Sequence, residues 1–355
     1  MEGNAQHMAS RSVGIDATRT VLNLLIVLYH SGFPSMSQRA SAFDCRLQGW
    51  AHSIEFVLPS LFCLSGYLLM RGYSIESFRR KLVNRLKRLA APLYLVNWAI
   101  LAFIPIALAV GLVHDPKYNL SWGISRFLCI APGCGFTPLW YLRTLLLLTF
   151  ASPLIYLGLR GRRMRIVTLS AVAVWCVLEH MFGLLESNLS WYMPGYAVSC
   201  FMLGAALSYW TDDLCVFARR YRWLFVVAWA GSIAVSVLVL GSVVARHGLV
   251  LIFQCLAWFA FADWFAKLNK SRLFQLLAEC SFFIYVFHVD MQWDVMTKPV
   301  HALWNSCPDS ITSIPGALAF AHSSMFLVNV FLCVLLYLVL KKVFPICARI
   351  LNGRL

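Results

Sequence analysis

Ile15-Asp16-Ala17-Thr18-Arg19-Thr20-Val21-Leu22-Asn23-Leu24-Leu25-Ile26-Val27-Leu28-Tyr29-His30-Ser31-Gly32-Phe33 is an apolar run that carries an aspartate, an arginine and a histidine. It has about the length of a bilayer-spanning helix, which needs ~20 mostly apolar residues. Ionisable groups inside such a segment are costly and point to function by default. On a helix turning by ~100° per residue, Arg19 and His30 fall within ~20° of one another and ~16 Å apart along the axis. They therefore share one face. Asp16 precedes Arg19 by one turn and can pair with it. The plainer alternative is that Arg19 snorkels to the inner interface and His30 sits near the outer one.

The rest of the chain agrees that its solvent is apolar. Of 355 residues, 60% are hydrophobic and 13% charged, and the mean hydropathy is +0.72. A soluble domain is closer to ~25% charged. The net charge of +15 invites a nucleic-acid reading. However, the basic residues fall in short clusters between apolar runs, as membrane topology requires, so nucleic acid is not expected as a partner.

Ten apolar runs follow one another, at about 15–33, 54–70, 92–113, 138–159, 166–184, 191–209, 223–242, 249–265, 276–295 and 324–344. The fold expected is all-α, a polytopic membrane protein of about ten transmembrane helices. Residues 1–14 and 345–355 would be cytoplasmic tails around a membrane domain at 15–344. No soluble domain and no internal repeat is expected. If the N-terminus is inside, 23 of the 30 Lys and Arg fall in inner segments and six in outer ones, with Arg143 within the fourth run. That bias places both termini in the cytoplasm.

Three outer segments are longer, at 35–53, 114–137 and 290–323, and long loops often carry binding. They hold four of the twelve cysteines: Cys45, Cys129, Cys134 and Cys307. These are either free thiols or one or two disulfides, with Cys129–Cys134 the simplest pair. No cysteine or histidine spacing fits a metal, and none is expected.

Further polar residues punctuate the runs. Ser65-Gly66-Tyr67 lies in the second, where a Ser-Gly pair commonly serves close helix packing. Residues 77–94 carry Arg79, Arg80, Lys81, Arg85, Lys87 and Arg88 before Pro92. This reads as a basic amphipathic helix on the inner surface. It would touch lipid headgroups or clamp phosphates, for which arginine is well suited. Arg143 follows Leu139-Trp140-Tyr141-Leu142. His288 closes Ser281-Phe282-Phe283-Ile284-Tyr285-Val286-Phe287-His288, with Tyr285 on its face. A lone histidine in such a place is more often packed than catalytic.

Taken in order, these pieces resemble the membrane-bound acyltransferase family 3. The elements that carry the likeness are Ile15-Asp16, Arg19 and His30 separated by ten residues, and Phe62 with Ser65-Gly66-Tyr67-Leu68-Leu69. Arg85 with Arg88 and Pro92, Leu139-Trp140-Tyr141-Leu142, and the stretch from Ser281 to His288 complete it. The arginine–ten residues–histidine element is the most specific. Where the family often has a second Phe before Ser-Gly-Tyr, this chain has Cys63, and the esterase-like domain that follows the membrane part in some members is not expected here.

The resemblance implies transfer of an acyl group, commonly acetyl from cytosolic acetyl-CoA, to hydroxyls of envelope glycans or sugars. It implies a multi-pass protein of a cell membrane, the inner membrane of a bacterium. His30 would be the general base, since histidine titrates near neutral pH and a sugar hydroxyl needs a base. Arg19 would serve catalysis beside His30, and Arg19, Arg85 and Arg88 would hold the phosphates of coenzyme A. Asp16, Ser65, Tyr67, Trp140, Arg143 and His288 are candidates for lining the substrate passage. Acyl-CoA enters as a donor substrate, and no tightly bound cofactor is expected. The partners are membrane lipid, the donor and a carbohydrate acceptor; self-association stays open. The competing class is a transporter or flippase of a sugar or lipid-linked substrate, which would also have many spans and intramembrane charges.

Overall fold

The computed structural model describes residues 2–31, 39–55, 57–109, 123–124, 127–128, 139–182, 195–240, 248–290 and 297–353. All regular structure among them is helical. The first helix, α1, covers Glu2–His30 and so begins well before the apolar run. Next come α2 (Ala42–Glu55), α3 (Leu58–Met70), and α4 (Phe78–Arg85), which passes through one π-turn (Leu86–Ala90) into α5 (Ala91–Ala109). The middle of the chain forms α6 (Leu139–Phe150), α7 (Ser152–Leu159), α8 (Arg162–Phe182), α9 (Gly195–Leu207), α10 (Leu214–Arg220), α11 (Arg222–Leu240), α12 (Gly248–Phe259) and α13 (Ala262–Leu268). The last part forms α14 (Arg272–Asp290), α15 (Thr297–Ser306), the short α16 (Asp309–Thr312), α17 (Ala317–Val343) and α18 (Pro345–Leu351).

In its described residues each apolar run is largely helical, but several are broken. The run at 54–70 is split around Val57, and α3 restarts with Pro59 in its first turn, where a missing N–H costs nothing. The run at 138–159 bends by 60° between α6 and α7, next to Pro153. Among the described residues, two helices are long and apolar enough to cross a membrane, within Arg272–Val289 and Ala317–Val343. The bent pair α6–α7 makes a third if it counts as one span, and α3 and α9 are apolar but shorter.

The interior centres on α3, α6, α9 and α14, whose side chains share one buried cluster. The tightest crossing joins α3 to α9. A Cβ on Gly66 would overlap the Phe201 carbonyl, and one on Gly204 would overlap the Cys63 carbonyl. Two glycines thus let the backbones touch, the small-residue packing that apolar solvents favour. α1 lies against α14, α13 and α17, with α2 and α3 completing its surround.

The C-terminal segment is docked. Asn352 is buried and inserts its amide into the ladder of α14, donating to the Glu279 carbonyl and accepting from Phe283 N–H. Of the four loop cysteines named above, Cys307 is a free thiol and is not joined to Cys45, and Cys129 and Cys134 lie outside the described residues. Among the described residues no cluster could hold a metal ion.

Candidate functional site

Side-chain contacts fix how α1, α14 and α17 run. Asn23 on α1 donates to the Ser281 carbonyl on α14 (3.4 Å). Arg19, earlier on α1, borders the same cleft as Gln275 and Glu279, earlier on α14. His30, the last residue of α1, meets His288 near the end of α14. The two helices are therefore parallel neighbours, and α14 faces both Arg19 and His30. α17 runs the other way. Tyr337 and Lys341 bond the Glu279 carboxylate (3.0 and 2.6 Å), Asn329 donates to the His288 carbonyl (2.9 Å), and His322 reaches the Leu28 carbonyl (2.5 Å). A carbonyl only accepts, so His322 Nε2 carries a hydrogen there. It thereby satisfies a carbonyl of the last turn of α1, two residues before His30.

At this end of α1 the His30 and His288 ring centroids lie 5.2 Å apart, at 42°. His288 is fully buried. Its Nδ1 is 2.8 Å from the Tyr285 carbonyl, and its Nε2 is buried with no hydrogen-bond partner among the described residues. His30 is half-buried, and its ring packs edge-on against Tyr29.

The opposite end of the α1–α14 pair is polar and open. Asp16, Arg19, Thr20, Asn269, Gln275 and Glu279 line a cleft of about 260 Å³. Arg19 and Asp16 form an exposed ion pair at 3.1 Å. Such a pair adds little stability and leaves the guanidinium available to an anion.

Arg85 connects this region to the interior. Its Nη2 donates to the Ser65 carbonyl (3.3 Å), and Ser65 Oγ is 3.3 Å from the Tyr141 hydroxyl. The Tyr141 ring lies 5.6 Å from Tyr285, whose ring is 6.0 Å from His288. A chain of contacts thus leads from Arg85 through Ser65, Tyr141 and Tyr285 to the histidine pair. Arg85 and Arg19 are both close enough to act electrostatically on the Tyr141 hydroxyl. Burial pushes the Arg85 guanidinium below the usual arginine range, the Tyr141 hydroxyl opposes this, and nearby Arg88 adds to it. A desolvated cation beside a second one gains from any anion that binds between them.

The π-turn that carries Arg88 has a local cause. Pro92 has no N–H to give to the carbonyl four residues back, and its ring crowds that carbonyl. The ladder widens instead, and Ala91 N–H bonds to the Leu86 carbonyl. Such π-bulges are frequent at functional positions. Arg88 itself is exposed.

The remaining candidates sit elsewhere. Tyr67 is buried, and its hydroxyl donates to the Thr211 carbonyl (3.4 Å). Trp140 is half-buried between Phe62 and Tyr196 (5.9 and 6.4 Å between centroids). Arg143 is buried on α6. The reading from sequence singled out neither Tyr141 nor Asn329 and His322. Tyr141 stood inside a motif that drew attention to its tryptophan. Asn329 was legible as an amide in an apolar run, where a buried polar group needs a partner.

The chain matches the family model for an acyltransferase domain over residues 12–338. It belongs to the acyltransferase 3 family. The match covers the residues of the site just described from Asp16 to Tyr337, and Lys341 lies just beyond it. No curated protein and no solved structure matches the chain. The family and the apolar helices make this a membrane acyltransferase.

Proposed function

We propose that this acyltransferase moves an acyl group, acetyl in the first instance, from cytosolic acyl-CoA to a hydroxyl of a cell-surface or envelope carbohydrate. His30 is the general base. The chain crosses its membrane, the inner membrane of a bacterium, about ten times with both termini in the cytoplasm. The observation that carries this reading is the parallel pair α1–α14, with Arg19 at its open polar end and His30 against His288 at the other. The 23-to-6 distribution of Lys and Arg supports the orientation.

The chemistry follows from those positions. Arg19, Arg85 and Arg88 hold the donor's phosphates, and the uncharged arm of the donor runs along α1. The acceptor hydroxyl oxygen attacks the thioester carbonyl carbon while His30 takes its proton. The new O–C bond forms, the C–S bond breaks, and the proton passes to the departing thiolate.

The test is thiol release from acetyl-CoA by the purified protein with a sugar acceptor. His30→Ala is expected to lower turnover by ~10²–10⁴, the usual worth of a general base. Normal transfer by a well-folded His30→Ala variant would remove the assignment.

A further inference from the structure

The geometry points to a site for the headgroup of an anionic phospholipid, built from Arg165, Tyr209, Trp210 and the first turn of α8, on the side of the protein that carries Arg85. It goes beyond the acyl transfer proposed above and uses none of the residues assigned to that reaction. The side follows from contacts. Lys81, one turn before Arg85 on α4, has its Nζ 5.4 Å from the Tyr73 ring centroid, and the Tyr73 and Tyr156 rings lie 5.3 Å apart. Tyr73, Tyr156 and Arg165 all lie close enough to act electrostatically on the Tyr209 hydroxyl. The Lys and Arg distribution assigns this side to the inside.

Arg165 is the centre of the site. It is buried, with 8% of its surface exposed. Its Nε donates to the Leu159 carbonyl (2.9 Å), and its guanidinium carbon lies 4.6 Å from the Tyr209 ring centroid and 5.5 Å from that of Trp210. Its two terminal nitrogens make no hydrogen bond among the described residues, and no carboxylate there forms an ion pair with it. The Tyr209 hydroxyl beside it is also buried with no hydrogen-bond partner among those residues. A buried cation with unused donors, next to an unused hydroxyl, gains from an anion that accepts several hydrogen bonds at once.

The surroundings strengthen that demand and describe the rest of the ligand. Arg162, Arg163 and Arg165 all fall at the start of α8, whose first turn holds no acid. A helix start is itself positive, so cations there are unfavourable and a phosphate is welcome. Asp213, three residues after Trp210, is committed to capping α10 through the Cys215 and Val216 N–H groups. Next to these charges the surface turns apolar. Met164, Ile166 and Val167 on α8 and Leu154 and Leu157 on α7 are exposed, and Trp210 is 55% exposed. A phosphate-binding group bordered by bare hydrocarbon fits an amphiphile. A phospholipid supplies both parts and a free nucleotide only one, and tryptophan is the residue that membrane interfaces favour at such a border.

Lipid titration tests the site. The full chain, purified in neutral detergent and stripped of lipid, is titrated with phosphatidylglycerol or phosphatidylcholine of equal chain length, and bound lipid is counted by native mass spectrometry. Phosphatidylglycerol should bind ~10-fold more tightly than phosphatidylcholine. Arg165→Gln should weaken phosphatidylglycerol by about tenfold, the worth of one charge-assisted hydrogen bond, and Tyr209→Phe by ~3-fold. Arg349→Gln, at an exposed position of α18, should change nothing. Equal binding of the two lipids, or unchanged phosphatidylglycerol affinity in Arg165→Gln, would overturn the site. So would competitive displacement of the lipid by adenosine bisphosphate, which would give Arg165 to the nucleotide end of the donor. Should Arg165→Gln not fold, Arg165→Lys and Tyr209→Phe decide. Lysine keeps the charge and loses the fork, so both variants should weaken phosphatidylglycerol; wild-type affinity in both overturns the proposal. Acyl transfer does not enter these measurements, so the failure of either reading leaves the other standing.

Discussion

Arg85 is the residue whose position says most about the donor. It lies on a basic surface helix yet turns inward to the Ser65 carbonyl, and its charge is partly stripped of water beside Arg88. A cation placed that way is held by weak neutral acceptors until an anion arrives. Arg85→Ala should therefore raise the acetyl-CoA KM by about tenfold, the worth of one charge-assisted hydrogen bond. The acceptor KM should move little, and Arg85→Lys should recover only part of the loss, since one ammonium cannot reproduce the fork. Initial rates against each substrate check this, and unchanged donor affinity would leave Arg85 as a lipid contact. Arg19 and His30 on α1 were legible in the sequence because a spacing of eleven on a helix is a geometric statement. The links between them were not. Tyr141 and Tyr285 meet across two helices that lie far apart in the chain, and nothing in either local pattern points to the other.

Helices carry that geometry only if their contacts are tight, and α3 and α9 are the clearest case. Gly66 and Gly204 each sit where a Cβ would run into backbone of the partner helix. Backbone cannot rotate away as a side chain can. Gly66→Ala and Gly204→Ala should each push the helices apart and destabilise the fold by ~1–3 kcal/mol, the range for overpacking. Gly231→Ala is the control, because open space surrounds it and helix propensity favours alanine there. Thermal melts in one detergent should rank Gly231→Ala at or above wild type and the other two below it. Equal midpoints for all three would show that the crossing has slack. The Ser65-Gly66 pair was readable as a packing signal, but its partner was not: Gly204 lies in an ordinary apolar run. The breaks were half readable. Pro59, Pro92 and Pro153 announce interruptions, yet a proline does not say whether a run will split, bulge or bend by 60°.

At the scale of the whole molecule the question is where the two substrates meet. Acyl-CoA is a polyanion made in the cytosol, and burying its charges in hydrocarbon would cost too much for it to cross. The cations proposed to hold it, Arg19, Arg85 and Arg88, belong to segments that the Lys and Arg distribution assigns to the inside. α1 and α14 run parallel away from those segments, and the histidine pair lies at their far end. Helical rise puts His30 ~16 Å beyond Arg19, about half the ~30 Å thickness of a hydrocarbon core. A thin uncharged arm can cover that distance while its phosphates stay behind. The acyl group would then cross much of the bilayer inside the protein, to an acceptor that docks from the outer side. Sealed vesicles containing the protein in one orientation test this. With acetyl-CoA on the cytoplasmic side only, a membrane-impermeant sugar should be acylated on the opposite side and not when it shares the donor's side. The reverse arrangement, donor outside and sugar inside, should yield no product, because the cations face away from the donor. Product formed only when both substrates share a side would place the two sites on one face. It would remove the trans-bilayer route and leave the acyltransferase assignment intact, since that rests on the family and not on the direction of travel.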